Sequence, residues 1–120
     1  MSTHILSKSS YVRGLQCEKS LYLYKHHYDW QDDISDQQAS LFAKGTSVGL
    51  LARSLFPGGV DLSPEFKNGR PDFSGSLKRT SREMDHCTGV LYEAAFCHDG
   101  LLAAVDILVK EKNGWSIFEV

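Results

Sequence analysis

An α+β fold is predicted for this 120-residue chain, with helices first and an antiparallel β-meander last. Three observations predict it. Apolar residues recur at helical spacing through the first half, two turn dipeptides punctuate the last third, and the runs on either side of those turns are apolar in both parities.

Taken in order, Ser7 suits an N-cap, and Gly14 is placed to end or kink a first helical segment before a second one over 17–26. Leu15, Leu21, Tyr22, Leu23 and Tyr24 give these segments an apolar stripe. An acidic connector, 29–36, leads to a helix expected over 37–55. There Leu41, Val48, Leu51, Ala52 and Leu55 repeat at helical spacing until Phe56-Pro57-Gly58-Gly59 stops it. Residues 1–56 are thus read as a helical region and 57–75 as a loop. Val60-Asp61-Leu62 is expected to form a short strand, and the middle of the loop, with its Asn68-Gly69 turn, is expected to be disordered. A further helix is placed over 76–88, turning Leu77, Met84 and Cys87 inward, and 90–120 forms the three-stranded meander. No internal repeat or low-complexity tract interrupts this single domain.

The meander carries the chemistry. Asp99-Gly100 and Asn113-Gly114 both tolerate positive φ and favour two-residue hairpin loops. If Asp99-Gly100 is the first loop, His98 faces Leu101 and Glu93 falls opposite Asp106. If Asn113-Gly114 is the second, Lys112 faces Trp115 and Leu108 faces Glu119. Cross-strand partners share a face and so do residues two apart, so Glu93, Asp106 and Glu119 lie in one row. Their neighbours there are apolar: Leu91, Ala95, Cys97, Leu102, Ala104, Trp115 and Ile117. Tyr92, Phe96, Val105, Ile107, Val109 and Phe118 take the other face. A sheet apolar on both faces expects cover on both. Carboxylates crowded there repel one another and lose hydration, which favours protonation unless a cation arrives. Magnesium or manganese, which take oxygen ligands, answers that need. In the alternative reading these acids are edge-strand and strand-end charges in water.

The strand Leu101-Leu102-Ala103-Ala104-Val105-Asp106, with the hairpin to Trp115-Ser116-Ile117-Phe118-Glu119-Val120, resembles the core of the PD-(D/E)XK nuclease superfamily. It is most similar to the RecB-like branch that includes the CRISPR-associated exonucleases, and within that to a bacterial family of unknown function. Leu6–Ser9 and Leu15–Leu23 resemble the opening helices of that branch. The resemblance implies a restriction-endonuclease-like core that hydrolyses phosphodiesters with Mg or Mn. Asp106 and Glu119 would be metal-binding catalytic residues, Glu93 an assisting one, and the Val120 carbonyl a further ligand.

The family's lysine falls two residues after Glu119, beyond Val120, so the chain is expected to be an N-terminal part of a longer protein, inactive and poorly stable by itself. At about the position of Gly49, many members place a metal-binding His that this chain lacks. Cys17 matches the place of the first thiolate of the branch's [4Fe–4S] cluster, whose other three ligands would lie in sequence not present here; otherwise it is an ordinary helix cysteine.

The remaining composition narrows the classes. Three cysteines, Cys17, Cys87 and Cys97, make no disulfide framework, and no apolar run is long enough for a membrane span, so a cytoplasmic protein with no membrane partner is expected. Cys87 and Cys97 are read as core residues. The net charge of −2 leaves room for a local basic groove. Lys78, Arg79 and Arg82, or Arg13, Lys19 and Lys25, are candidate phosphate contacts, and Tyr22, Tyr24, His26, His27, Tyr28 and Trp30 either stack bases or pack internally. DNA, single-stranded or at its ends, is the expected partner. Two rival functions remain: a catalytically inactive nucleic-acid-binding module of the same fold, and a glycoside hydrolase using Glu93 and Asp106 as acid and base.

Overall fold

A computed structural model describes residues 5–86 and 89–120; Cys87 and Thr88, including the expected inward placement of Cys87, lie outside the described residues. The described chain is mixed α and β. Its elements are β1 (Leu6–Ser7), α1 (Lys8–Gln16), α2 (Glu18–His26), a 3-10 turn (Tyr28–Trp30), α3 (Asp36–Arg53), β2 (Val60–Asp61), β3 (Glu65–Lys67), β4 (Arg70–Asp72), α4 (Phe73–His86), β5 (Val90–His98), β6 (Leu101–Glu111) and β7 (Gly114–Phe118).

The meander β5-β6-β7 forms the body of a five-stranded mixed sheet, because β1 adds in parallel to β6 and β2 in parallel to β5. These two-residue edge strands carry no periodic signal. Strand β1 pairs with the start of β6 and β7 with its second half, so Ala103–Asp106 lies between them along that edge.

The first hairpin has the expected register, with His98 opposite Leu101 and both Asp99 (φ 51°) and Gly100 (φ 77°) left-handed. The second corrects the expectation by two residues. Glu111 pairs with Gly114, so Lys112-Asn113 is the loop and Leu108 faces Ile117 rather than Glu119. Gly114, at φ 156°, supplies its conformational freedom after the turn instead of within it. An even shift preserves faces. It moves Glu119 from beside Leu108 to the level of Asp106.

The expected disordered loop is also corrected. Asn68 (φ 52°) and Gly69 (φ 74°) close a tight hairpin between β3 and β4, and α4 begins at Phe73 instead of Ser76. Asp72 caps that start by accepting from the Ser74 amide at 3.0 Å.

Helix ends follow local chemistry. The Ser7 hydroxyl accepts from the Ser10 amide at 3.2 Å, and Ser35 with Gln38 forms a reciprocal capping box at α3. Chain direction changes at Cys17 rather than Gly14. Gly14 is instead a point of close approach, where an added Cβ would stand 2.9 Å from Leu21 Cδ2.

The core gathers Leu62, Leu91, Ala94, Val105 and Leu108, with Met84 of α4 and Trp115 packed against it. Leu91 and Ala94 are three apart, as are Val105 and Leu108, spacings a regular strand would send to opposite faces. Glu93, held left-handed at φ 56°, sits inside the first interval and Asp106 inside the second. The ladder therefore keeps register while its alternation is interrupted at these two acids. Helix α4 is anchored by the buried Thr80 hydroxyl, which accepts from the Ala95 amide at 3.0 Å, and by Ser76, which donates to the Leu62 carbonyl.

One burial expectation is overturned. Cys97 is exposed, because the distal end of β5, from Phe96 to His98, is uncovered. No residue of α3 is buried, and Leu41, Val48 and Leu51, which repeat at helical spacing along it, are exposed, as is Leu55 just after it.

Candidate functional site

The three acids of the meander line one cleft. Glu93 and Asp106 occupy matching positions of β5 and β6, and Glu119 follows β7 at the same level. Asp106 Oδ2 accepts from the Val120 amide at 2.8 Å, which pins the segment after β7 against β6. Two clefts share Glu93, Asp106 and Val120 in their walls. One, of about 390 Å³, adds Gly45, Gly49 and Arg53 from α3. The other, of about 670 Å³, adds Glu119, Lys8, Tyr24 and Arg70.

The electrostatics follow from that crowding. Burial pushes the Glu93 carboxyl above its ordinary range, and the charge of Asp106 pushes it further, while Arg53 opposes both and Asp61 and Glu119 add to the rise. Arg53 reaches the site from the last turn of α3. Its Nη1 lies 3.1 Å from Asp61 Oδ2, its Nη2 lies 3.8 Å from Glu93 Oε1, and its guanidinium stands 4.8 Å from the centre of the Tyr92 ring. For Asp61, burial alone pushes upward, yet hydrogen bonds from Ser63 and the Arg53 charge outweigh it and hold the carboxyl below its usual range. At the opposite side Lys8 donates to Glu119 Oε2 at 2.9 Å, and that bond, with the Glu119 charge, raises the Lys8 pKa.

Sequence reasoning had not found Lys8, Arg53 or Asp61 as members of this site. Each arrives from an element far along the chain, and only the parallel docking of β1 and β2 brings them in.

The acids of the row offer carboxylate oxygens, the donor type that Mg and Mn prefer, and burial beside Asp106 raises the pKa of one of them, Glu93. In donor type the residues present fit such an ion. Among the described residues, however, no three His, Cys, Asp or Glu side chains stand assembled around one point, since Glu119 is drawn to Lys8 and Glu93 toward Arg53. A [4Fe–4S] cluster takes four thiolates. Cys17, expected as the first of these, is free and exposed.

Of the basic residues on α4, Arg79 is occupied structurally, donating to the Ser63 carbonyl at 2.7 Å. Cys17 lies between α1 and α2, in the wall of a third cleft shared with Arg13, Tyr24, His27 and Trp30.

Comparison with protein-family models, curated proteins and solved structures returned no match. No described helix is long and apolar enough to cross a membrane.

Proposed function

We propose that this chain carries the acidic half of a metal-dependent DNA-hydrolysing site of the PD-(D/E)XK type, acting in the cytoplasm. The observation that supports it most is the level alignment of Glu93 on β5, Asp106 on β6 and Glu119 just after β7, with burial and repulsion from the other acids raising the Glu93 pKa. Three carboxylates held at one level cost free energy unless something positive joins them.

Asp106 and Glu119 would hold Mg or Mn, with Glu93 assisting and the Val120 carbonyl beside them. When bound, such an ion opposes charge building on phosphodiester oxygens and acidifies water. Asp106 is the fixed member, oriented by the Val120 amide. Glu119 is the adjustable one, released when Lys8 gives it up. Lys8 then stands free at the rim of the site, where an ammonium stabilises a phosphate oxygen. Arg53, held by Asp61 and Tyr92, keeps Glu93 ionised more readily than burial alone would allow.

The test is cleavage of labelled single- and double-stranded DNA with Mn²⁺ or with chelator. A longer protein containing this segment should cut only with the ion and lose activity in Asp106→Asn. Cleavage that continues in chelator would instead fit a carboxylate-pair hydrolase, and DNA binding indifferent to Asp106 without cleavage would fit the inactive module.

A further inference from the structure

The rings and cations at the helical end of the molecule form a surface that the acidic row does not explain. His27 and Trp30 stack at 4.1 Å between centroids and 22° between planes, and Tyr22 lies 5.9 Å from His27. Trp30 is 67 % exposed and Tyr22 56 % exposed, so this stack is open to solvent. Beside it, the Arg13 guanidinium lies 4.5 Å from the centre of the Tyr24 ring, and that of Arg70 lies 4.0 Å from Tyr28. Each guanidinium donates to one partner among the described residues, Arg13 to the Ser20 hydroxyl and Arg70 to the Tyr24 carbonyl. A guanidinium has five N–H donors, and among the described residues neither arginine, nor Lys19, makes an ion pair. The Arg13 and Arg70 guanidinium groups therefore stand over aromatic rings without an ion-pair partner among the described residues, and the cleft of Arg13 and Lys19 has one acid, Asp32, in its wall.

Position adds direction. Tyr24 belongs both to this cleft of about 370 Å³ and to the larger cleft that ends at Glu93, Asp106 and Glu119, and Arg70 lies in the larger one. A continuous track of rings and cations thus runs from Trp30 to the acids.

We propose that this track binds single-stranded nucleic acid, stacking unpaired bases on Trp30 and His27 while Arg13, Lys19 and Arg70 hold phosphates. Unpaired bases offer π-faces that a duplex hides, and stacking with backbone neutralisation is the general chemistry of strand binding without sequence preference. An acidic peptide offers the charge without the faces. As a route for substrate the track rests on the hydrolytic reading above; as a binding site it does not.

The experiment is fluorescence anisotropy of a labelled oligothymidylate with the full 120-residue chain in chelator, where no divalent ion contributes. Expected are saturable binding that weakens steeply with salt, a loss of about tenfold in Trp30→Ala with retention in Trp30→Phe, and a comparable loss in Arg70→Gln. Duplex and poly-glutamate should compete poorly. Absence of binding, unchanged binding in both Trp30→Ala and Arg70→Gln, or equal competition by poly-glutamate overturns the proposal. Because Trp30 is exposed, circular dichroism of Trp30→Ala should match the parent, and the Trp30→Phe comparison separates loss of stacking from loss of fold. Retained strand binding with no Mn²⁺ binding would overturn the hydrolytic reading alone.

Discussion

Lys8 Nζ lies 2.9 Å from Glu119 Oε2, joining the first residue of α1 to the segment that follows β7 across almost the whole length of the chain. Both side chains are well exposed, so the pair adds little to stability. Its consequence is competition: the same carboxylate cannot serve a lysine and a divalent ion equally well.

Removing the competitor should therefore help the ion. Lys8→Met is expected to tighten Mn²⁺ binding about two- to fivefold at low salt, the scale of an exposed ion pair, and the gain should shrink as salt is added. Calorimetric titration at two ionic strengths checks it; weaker binding in the variant would mean that Lys8 helps to build the site.

Glu93 gives a pH signature. Its folded pKa is raised above the ordinary 4.5, so the folded state binds the proton more tightly and stability falls as pH rises through the window from 4.5 to the folded value. Glu93→Gln removes that loss. Melting curves should coincide below pH 4.5, while at neutral pH the variant should melt a few degrees higher; a variant less stable at neutral pH contradicts the sign.

The anchor of α4 predicts a stability cost. Thr80 is almost fully buried and its hydroxyl accepts from the Ala95 amide. Thr80→Val keeps the shape and orphans that N–H, which should cost about 1–3 kcal/mol in urea unfolding. A neutral substitution would show that Ala95 finds another partner.

Much of the site was legible because turn chemistry fixes strand register locally. Asp99-Gly100 alone put Glu93 opposite Asp106. The second hairpin slipped by two because Asn-Gly can supply its glycine inside the turn or just after it, and sequence does not distinguish the two; even parity kept Glu119 on the row. At Asn68-Gly69 the same dipeptide signal was present, but strands of three residues have no periodicity to support it. Lys8, Arg53 and Asp61 were illegible for a different reason. They reach the acids through two-residue parallel pairings, which tertiary packing decides and local pattern does not. The exposed apolar side of α3 shows the opposite failure, since helical spacing reveals a stripe without revealing whether anything covers it.

That helix also offers a gain of function. Gly49 lines the cleft that holds Glu93 and Asp106, and a Cβ built there meets nothing within 4 Å. Gly49→Ala should add about 0.5–1 kcal/mol by restricting the unfolded chain. Gly49→His should tighten Mn²⁺ binding beyond Gly49→Ala, read by the same titration; equal affinities would place the ion out of reach of α3.

The most direct measurement is a Mn²⁺ titration of the folded chain, followed by electron paramagnetic resonance of the free ion, for the parent and for Asp106→Asn. The substitution keeps the acceptor for the Val120 amide and removes only charge. One saturable site in the parent that weakens at least about tenfold in Asp106→Asn is the predicted result. No saturable site in the parent, or equal binding in both, would contradict the claim that these carboxylates gather around a divalent cation.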